Sequence, residues 1–267
     1  MCGLFGIIHT GGRAIDDGLA HRCRAALDTL EHRGPDQWDA VITDNIYHGH
    51  RRLSIIDLSD NGRQPMVSDD GHVAISANGE IYNHEQLRRE LGADNFRSGS
   101  DSETILHGYR QWGLDTLLDK IDGMYALVIH DRQAGKLHLI RDRAGIKPLF
   151  YARIGDCFVW ASELKALTAF FDREQLAYDK HALYDFLTYR YIPAPKTAYS
   201  GIYKLKPAHS LSIDTAIGAF GGQRRYWQLP AHSVSVDHDE AAEQLHTLIV
   251  ASVEDQLMSD VPLCFFL

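Results

Sequence analysis

The chain has 267 residues, of which 45% are hydrophobic and 24% charged, and its length fits one large or two ordinary globular domains. Its net charge of −9 and the lack of a long basic run disfavour a nucleic-acid partner, and no apolar run is long enough to cross a membrane. The 4 cysteines lie far apart and show no metal-site spacing, which favours a reduced cytoplasmic protein without a metal.

The chain begins with "MCGLFGII", and the apolar run after Met1 predicts a short buried strand. Cys2 is then an inert strand residue, part of a targeting peptide, or a nucleophile that becomes the N-terminus once Met1 is removed. A targeting peptide is disfavoured because no basic region precedes the run and because Asp16 and Asp17 follow it. A thiol reacts as the thiolate and needs a base, which the α-amine of a terminal cysteine can supply. The N-terminal residues alone leave the inert and the nucleophilic interpretations open.

The next two segments predict a helix and then a pair of strands. Apolar residues at helical spacing predict a helix that Asp16 or Asp17 caps and that the Gly34-Pro35 pair ends. The segment "HVAISANGEIYN" predicts a strand, a tight Asn-Gly turn and a second short segment.

Another helix and two strand pairs are predicted before residue 170. "SGSDSETILHGYRQWG" predicts a helix that starts near Ser100 or Asp101 and stops at Gly113. "MYALVIHDRQAGKLHLIRDRAG" predicts a hairpin with Gly135 in its turn, and "IKPLFYAR" with "CFVWASE" predicts a further strand pair.

The pattern changes after about residue 170. "YDKHALYDFLTYRY" predicts a helix capped by Asp179, and a long amphipathic helix is predicted in "DHDEAAEQLHTLIVASVEDQLMSD". The final "VPLCFFL" has the apolar pattern of a buried strand but no closing turn. We therefore predict a domain over residues 1–170, followed over residues 171–267 by a linker and the truncated start of a second domain.

Six short motifs then occur in a fixed order. They are "HRGPD" (32–36), "RRLSIID" (51–57), "NGEIYN" (78–83), "GSDSE" (99–103), "RDRAGIKPLFY" (141–151) and "ASELKAL" (161–167). Together with the cysteine at position two, they resemble the glutamine-hydrolysing domain of class II glutamine amidotransferases, and "HRGPD" and "RLSIID" resemble glutamine-dependent asparagine synthetase. The resemblance implies an α+β fold: a four-layer αββα N-terminal nucleophile hydrolase sandwich, with the start of an α/β synthetase domain after it.

The same resemblance implies that mature Cys2, with its own α-amine as base, attacks the side-chain amide of glutamine. It also implies an oxyanion hole made of the Asn78 side-chain amide and the Gly79 backbone N–H. A donor pair of this kind stabilises the charge that develops on the amide oxygen. The alternative is that Asn-Gly is only a hairpin turn.

Substrate binding follows from the resemblance as well. Arg52 would grip the α-carboxylate of glutamine with two parallel hydrogen bonds, and the backbone of Leu53, Ser54, Ile55 and Ile56 would line the same wall. Arg51 would point to the other face of its strand.

The α-ammonium of glutamine would meet a carboxylate. Asp101 matches the family at this position, and Glu80 is the second candidate. The alternative for Asp101 is a helix cap, which is the common use of an Asp at a helix start.

The resemblance implies no cofactor for glutamine hydrolysis, and it implies ATP and Mg²⁺ only for the missing synthetase domain. The implied partners are glutamine and the synthetase half of the same or another chain, with aspartate as the ammonia acceptor, and a homodimer stays open. Two alternatives remain: an amidotransferase for another carboxylate acceptor, or a non-catalytic remnant that binds glutamine or a partner.

Overall fold

Two six-stranded antiparallel sheets form the centre of the computed structural model, which describes residues 1–231 and 236–264. The strands are β1 (Gly3–His9), β2 (Gln37–Thr43), β3 (Ile46–Arg52), β4 (Met66–Val67), β5 (Val73–Ile81), β6 (Gly123–Asp131), β7 (Lys136–Arg141), β8 (Phe150–Ile154), β9 (Cys157–Ala161), β10 (Ile202–Lys204), β11 (His209–Asp214) and β12 (Arg224–Arg225). The α-helices are α1 (Asp17–Asp28), α2 (His84–Leu91), α3 (Glu103–Lys120), α4 (Leu164–Phe170), α5 (Lys180–Tyr189) and α6 (His238–Asp255).

The strand order is β10-β8-β9-β1-β3-β2 in the first sheet and β12-β11-β7-β6-β5-β4 in the second. Successive side chains of a strand point to opposite faces, and β1 shows the result. Leu4 and Ile8 lie in the apolar cluster between the sheets, whereas Phe5 and Ile7 lie in the cluster that contains residues of α1 and α4. A third cluster joins the second sheet to α2 and α3. The layers are therefore αββα, which confirms the predicted fold class.

Several predicted elements are present with the predicted signals. Asp16 caps α1, its side chain accepting the Leu19 N–H at 2.8 Å. Asp179 caps α5 in the same way. The two predicted strand pairs are β6 with β7, whose turn contains Gly135 at φ 62°, and β8 with β9.

Three predicted elements differ from the structure. Helix α1 ends at Asp28 and not at the Gly34-Pro35 pair, because the chain leaves the helix through turns that begin at Thr29. The Asn78-Gly79 pair is not a hairpin turn, because β5 runs through it and pairs with β6 along its whole length. Helix α3 begins at Glu103, later than predicted. Gly113, at φ 76°, breaks the helical path as predicted, but the chain resumes a helix to Lys120 because Leu117 can then enter the core.

Residues beyond 170 contribute to both sheets, since β10 pairs with β8 and β11 pairs with β7. The predicted domain boundary at residue 170 stays a prediction. The strand predicted in "VPLCFFL" falls partly on residues 265–267, which lie outside the described residues. Among the helices that the structure describes, none is long and apolar enough to cross a membrane.

Candidate active site

A cleft of about 280 Å³ lies where the N-terminus meets the ends of β3 and β5. Every predicted site residue except Ser54 lines it. These residues are up to 99 positions apart in sequence, from Cys2 to Asp101, and the pairing of strands within each sheet brings them together. The cleft is therefore the place to test the roles that the sequence suggests.

Cys2 lies at the cleft directly before β1, the strand between β9 and β3 in the first sheet. Its Sγ is 3.8 Å from the Leu53 carbonyl oxygen. Burial raises the pKa of the Cys2 thiol, so the resting group holds its proton and needs a base to react. Met1 lines the same cleft, so its removal would leave the new terminal amine beside the sulfur.

Two buried arginines near the N-terminus, Arg33 and Arg51, make different contacts. Arg33 donates from Nε to the Cys2 carbonyl at 2.9 Å and from Nη1 to Glu163 Oε1 at 2.8 Å, which fixes the backbone of Cys2. Arg51 points away from the cleft and pairs with Asp28. The role of Arg33 is not evident from the sequence, although the residue belongs to the "HRGPD" motif.

The outer edge of β5 is open at Gly79. The N–H groups of Ala77 and Ile81 point to this edge, where Gln64 Oε1 accepts the first at 2.6 Å and Asp101 Oδ2 accepts the second at 2.8 Å. Because N–H groups alternate in direction along a strand, the Gly79 N–H points to the same edge. It meets no acceptor within residues 1–231 and 236–264, so it is free to bind a ligand in the cleft.

Asn78 is fully buried, and neither atom of its side-chain amide has a hydrogen-bond partner among the described residues. An unpaired buried polar group costs about 1–3 kcal/mol, and native structures contain few of them. Asn78 and Gly79 together present two unused donors to one cleft. Such a pair can stabilise a developing oxyanion.

Arg52 holds the loop that forms the opposite wall. Its Nη1 donates to Gln37 Oε1 at 3.0 Å and to the Ser59 carbonyl at 2.9 Å, and its Nη2 donates to the carbonyls of Ile56 and Asp57. All four N–H bonds of the two terminal nitrogens are therefore in use. The two-bond grip on a carboxylate that the sequence suggested therefore requires the loop to release at least one of these acceptors, because Nε supplies at most one of the two bonds.

The same loop offers a second way to bind an anion. The N–H groups of Ile55 and Ile56 make no hydrogen bond within the described part of the chain, and both residues line the cleft. Successive free N–H groups beside a buried guanidinium form an anion-binding concavity. Ser54 is turned away because its N–H donates to Asp36 Oδ2 at 2.8 Å, and Asp260 holds the Ile55 carbonyl at 2.9 Å.

Asp101 lies across the cleft and does not cap a helix. Helix α3 starts after Ser102, and the Asp101 carboxylate accepts the N–H of Ile81 instead. Burial, and to a smaller extent the nearby Glu80, raise the pKa of Asp101 to about 6. Burial also raises the pKa of Glu80, which Lys147 partly offsets. Two acids that are costly to ionise thus face a cleft in which a cation would stabilise them.

Replacing Asp101 with asparagine is expected to stabilise the fold above about pH 6 and to leave it unchanged below about pH 4. The folded chain keeps the Asp101 proton up to its pKa of about 6, whereas an unfolded chain releases it near 3.9. Wild-type stability is therefore lost as the pH rises between these values, by roughly 3 kcal/mol in all. Urea unfolding across this range measures the difference, and Asp94→Asn on an exposed turn is the control. An Asp101→Asn advantage that is the same at every pH would contradict the assignment.

Two histidines, His48 and His50, lie fully buried between the sheets. His50 Nε2 is 3.1 Å from the carbonyl of Ala77, so it links β3 to β5 next to Asn78. Burial lowers the pKa of His48 to about 3 and that of His50 to about 4, so both are neutral at pH 7. In residues 1–231 and 236–264 no group of three or more His, Cys, Asp or Glu side chains could hold a metal ion.

Comparisons with known proteins agree with this geometry. The family model described as a glutamine amidotransferase domain matches residues 1–227. "Asparagine synthetase [glutamine-hydrolyzing] 3" of Bacillus subtilis is 32% identical over 274 residues, which cover 100% of this chain and 43% of that protein. "Putative asparagine synthetase [glutamine-hydrolyzing] 2" of Methanocaldococcus jannaschii is 32% identical and is covered to 54%. The chain thus spans about half or less of these relatives.

Among solved structures, the glutamine phosphoribosylpyrophosphate amidotransferase of Bacillus subtilis matches with a TM-score of 0.63 and 19% identity, over 85% of this chain and 50% of that one. This likeness shows that the two chains share a fold, here the αββα sandwich. The family match covers both sheets and the whole cleft. The chain belongs to the family of glutamine amidotransferase domains.

Proposed function

We propose that this chain hydrolyses the side-chain amide of glutamine to glutamate and ammonia. One observation carries the proposal: a single cleft gathers Cys2, the unused donors of Asn78 and Gly79, an acid hydrogen-bonded to β5 of one sheet and an arginine at the end of β3 of the other. The three parts correspond to a nucleophile, an oxyanion hole and a binding site for an amino-acid zwitterion.

Removal of Met1 gives Cys2 its own amine, which takes the thiol proton directly or through one water. The sulfur then attacks the amide carbon, a C–S bond forms, and the negative charge on oxygen is held by Asn78 and Gly79. The ammonium of Cys2 returns its proton to the amide nitrogen, the C–N bond breaks and ammonia leaves. Water attacks the thioester with the same amine as base, the C–S bond breaks, and glutamate and the thiol are formed.

The site recognises free glutamine through its α-ammonium and its α-carboxylate. Ionised Asp101 receives the α-ammonium, while the charge of Arg52 and the free N–H groups of Ile55 and Ile56 receive the α-carboxylate. Because a simple amide lacks both charges, these walls select an amino acid. Binding of the ammonium favours the ionised form of Asp101, which offsets the cost of its burial.

The ammonia would pass to a synthetase half. The names of the relatives favour asparagine as the product, and the sequence resemblance implies ATP-dependent amidation of aspartate. The sequence resemblance implies that ATP is bound by a Ser-Gly-Gly-x-Asp-Ser loop of the synthetase domain. These 267 residues do not contain that loop, and no step here is routed through ATP or Mg²⁺. The synthetase half of the same or another chain is the proposed partner. The free cysteines favour the cytoplasm.

Equal amounts of glutamate and ammonia are expected when the purified chain, with Met1 removed, is given glutamine. A matched chain with one alanine inserted between Met1 and Cys2 should be at least ~100-fold slower, because its amine no longer lies beside the sulfur and general-base help is lost. Coupled glutamate and ammonia assays measure both products, and intact mass establishes the N-terminus. Equal rates for the two chains would exclude the terminal amine as the base.

A further inference from the structure

Lys147 is a buried lysine in the wall of the cleft. Its exposure is only 6%, and it lines the cleft together with Cys2 and Glu80. Among the described residues its Nζ makes no hydrogen bond and no ion pair, and because Nζ is not one of the fully enclosed unpaired atoms, it is open to the cleft. Lysines are almost never buried without a partner, because the charged form loses its hydration. A cation kept in this position therefore calls for an explanation in the chemistry of the cleft.

The backbone around Lys147 is built to fix where its side chain emerges. Its N–H donates to Asp142 Oδ2 at 2.9 Å, and its carbonyl accepts from Arg141 Nε at 2.7 Å. Asp142 is itself buried, and Gly145 supplies the positive φ of the turn that brings Lys147 back to the cleft. Both the N–H and the carbonyl of Lys147 are thus hydrogen-bonded, so its backbone is fixed, as expected for a preorganised functional group.

The charges that face Lys147 come from four parts of the fold. They are Glu80 on β5, Arg33 after α1, Cys2 with the terminal amine before β1, and Asp142 after β7. Burial lowers the pKa of Lys147 and also that of the terminal amine of the unprocessed chain, and Arg33 and Lys147 lower the pKa of that amine further. The charge of Arg33 is offset by Glu163 at 2.8 Å. Lys147 is consequently the cation near the amine whose ammonium makes no described contact with an acid.

We propose that Lys147 is a second fixed cation of this cleft, beside Arg52, and that its charge, acting through mature Cys2, favours the uncharged amine and the thiolate that attack glutamine. A neighbouring positive charge disfavours an ammonium and favours a thiolate. Lys147 neither gives nor takes a proton in this role; the proton moves from the Cys2 thiol to the Cys2 amine. It is therefore a positioning residue, and the inference rests on the proposed function of the cleft.

The test is the pH profile of glutamine hydrolysis by the purified chain and by variants at Lys147. On the acid side of the profile, the acid limb, kcat/KM rises with pH as the Cys2 amine loses its proton. Lys147→Met should shift this limb to higher pH by roughly one unit. The value of kcat/KM then falls about tenfold at pH values below the limb and changes little well above it. Lys147→Arg keeps the charge and should restore the wild-type limb. Lys180→Met, on the exposed first turn of α5, is the matched control and should not move it. If Lys147→Met unfolds at a lower temperature than the wild type, Lys147→Gln is measured in its place.

A second readout separates this inference from the proposed function. Alkylation of Cys2 by iodoacetamide, followed by peptide mass mapping, reports the thiolate without any turnover, and its midpoint should rise in Lys147→Met and return in Lys147→Arg. If the wild type releases ammonia but neither the limb nor the alkylation midpoint moves, the role of Lys147 is wrong while the glutaminase stands. If the wild type does not hydrolyse glutamine, the proposed function fails, and an unchanged alkylation midpoint then overturns the charge effect as well.

Discussion

Cys2→Ser is expected to abolish glutamine hydrolysis, with a loss of at least ~10⁴-fold, the scale seen when a catalytic nucleophile is removed. A hydroxyl is far less acidic than a thiol and a weaker nucleophile, so in a site built around sulfur the same amine activates it much less. The change removes little volume from a half-buried position, so stability should change little. Release of glutamate and ammonia measures the first effect, and thermal unfolding measures the second.

The control for this variant is Cys264→Ser, which changes an exposed cysteine outside the cleft and should keep full activity. Calorimetry should show that Cys2→Ser still binds glutamine, because the residues proposed to hold the zwitterion are intact. This measurement separates the enzyme from a remnant that only binds glutamine. Similar ammonia release from the wild type and Cys2→Ser would leave the remnant as the better account.

Gly79→Ala is expected to damage both the fold and the site. A Cβ at this position would lie 2.0 Å from the Met124 carbonyl oxygen and 2.6 Å from the Tyr125 Cα, and both atoms belong to the backbone of β6. The strands must therefore separate, which we expect to lower the free energy of unfolding by roughly 3 kcal/mol, the upper end of overpacking costs. Hydrolysis should fall about 100-fold or more because the Gly79 N–H leaves its place in the oxyanion hole.

Gly222→Ala is the matched control, since a Cβ there meets nothing within 4 Å. It should leave both the urea midpoint and the rate of glutamine hydrolysis unchanged. If Gly79→Ala unfolds at the same urea concentration as the wild type, the close approach of β5 and β6 is incorrect. If it loses stability but keeps its turnover in the folded fraction, the Gly79 N–H has no part in catalysis.

The Asn78-Gly79 pair shows where local reasoning reaches its limit. Asn-Gly is a strong hairpin signal because both residues tolerate positive φ, and the sequence analysis predicted a turn on that ground. The partner that overrides this preference is β6, which pairs with β5 from Val73 to Ile81 and is more than 40 residues further along the chain. Pairing with β6 thus overrides the local turn preference, and the Asn78-Gly79 pair lies in a strand whose other edge is open at Gly79.

Arg52 and Lys147 show the same limit for the site itself. The motif around Arg52 indicated its place in the cleft, but its four acceptors belong to Gln37 and to a loop whose path is set by packing. Lys147 lies in a motif that the sequence analysis quoted without giving the lysine a role. Its significance depends on burial, on the absence of a described partner for its Nζ, and on its place beside Cys2.

Four features could be predicted from local sequence patterns: the apolar periodicity of the strands and helices, the caps of α1 and α5, the β6–β7 hairpin and the order of motifs that indicates the family. These features depend on residues within a few positions of one another, so they can be read along the chain. Which polar groups lack a partner, and which charges share one cleft, became clear only from the folded chain. The physical reason is that hydrogen bonding, burial and charge at this site depend on strands and loops distant in sequence, whose distances are fixed only when the two sheets pack together.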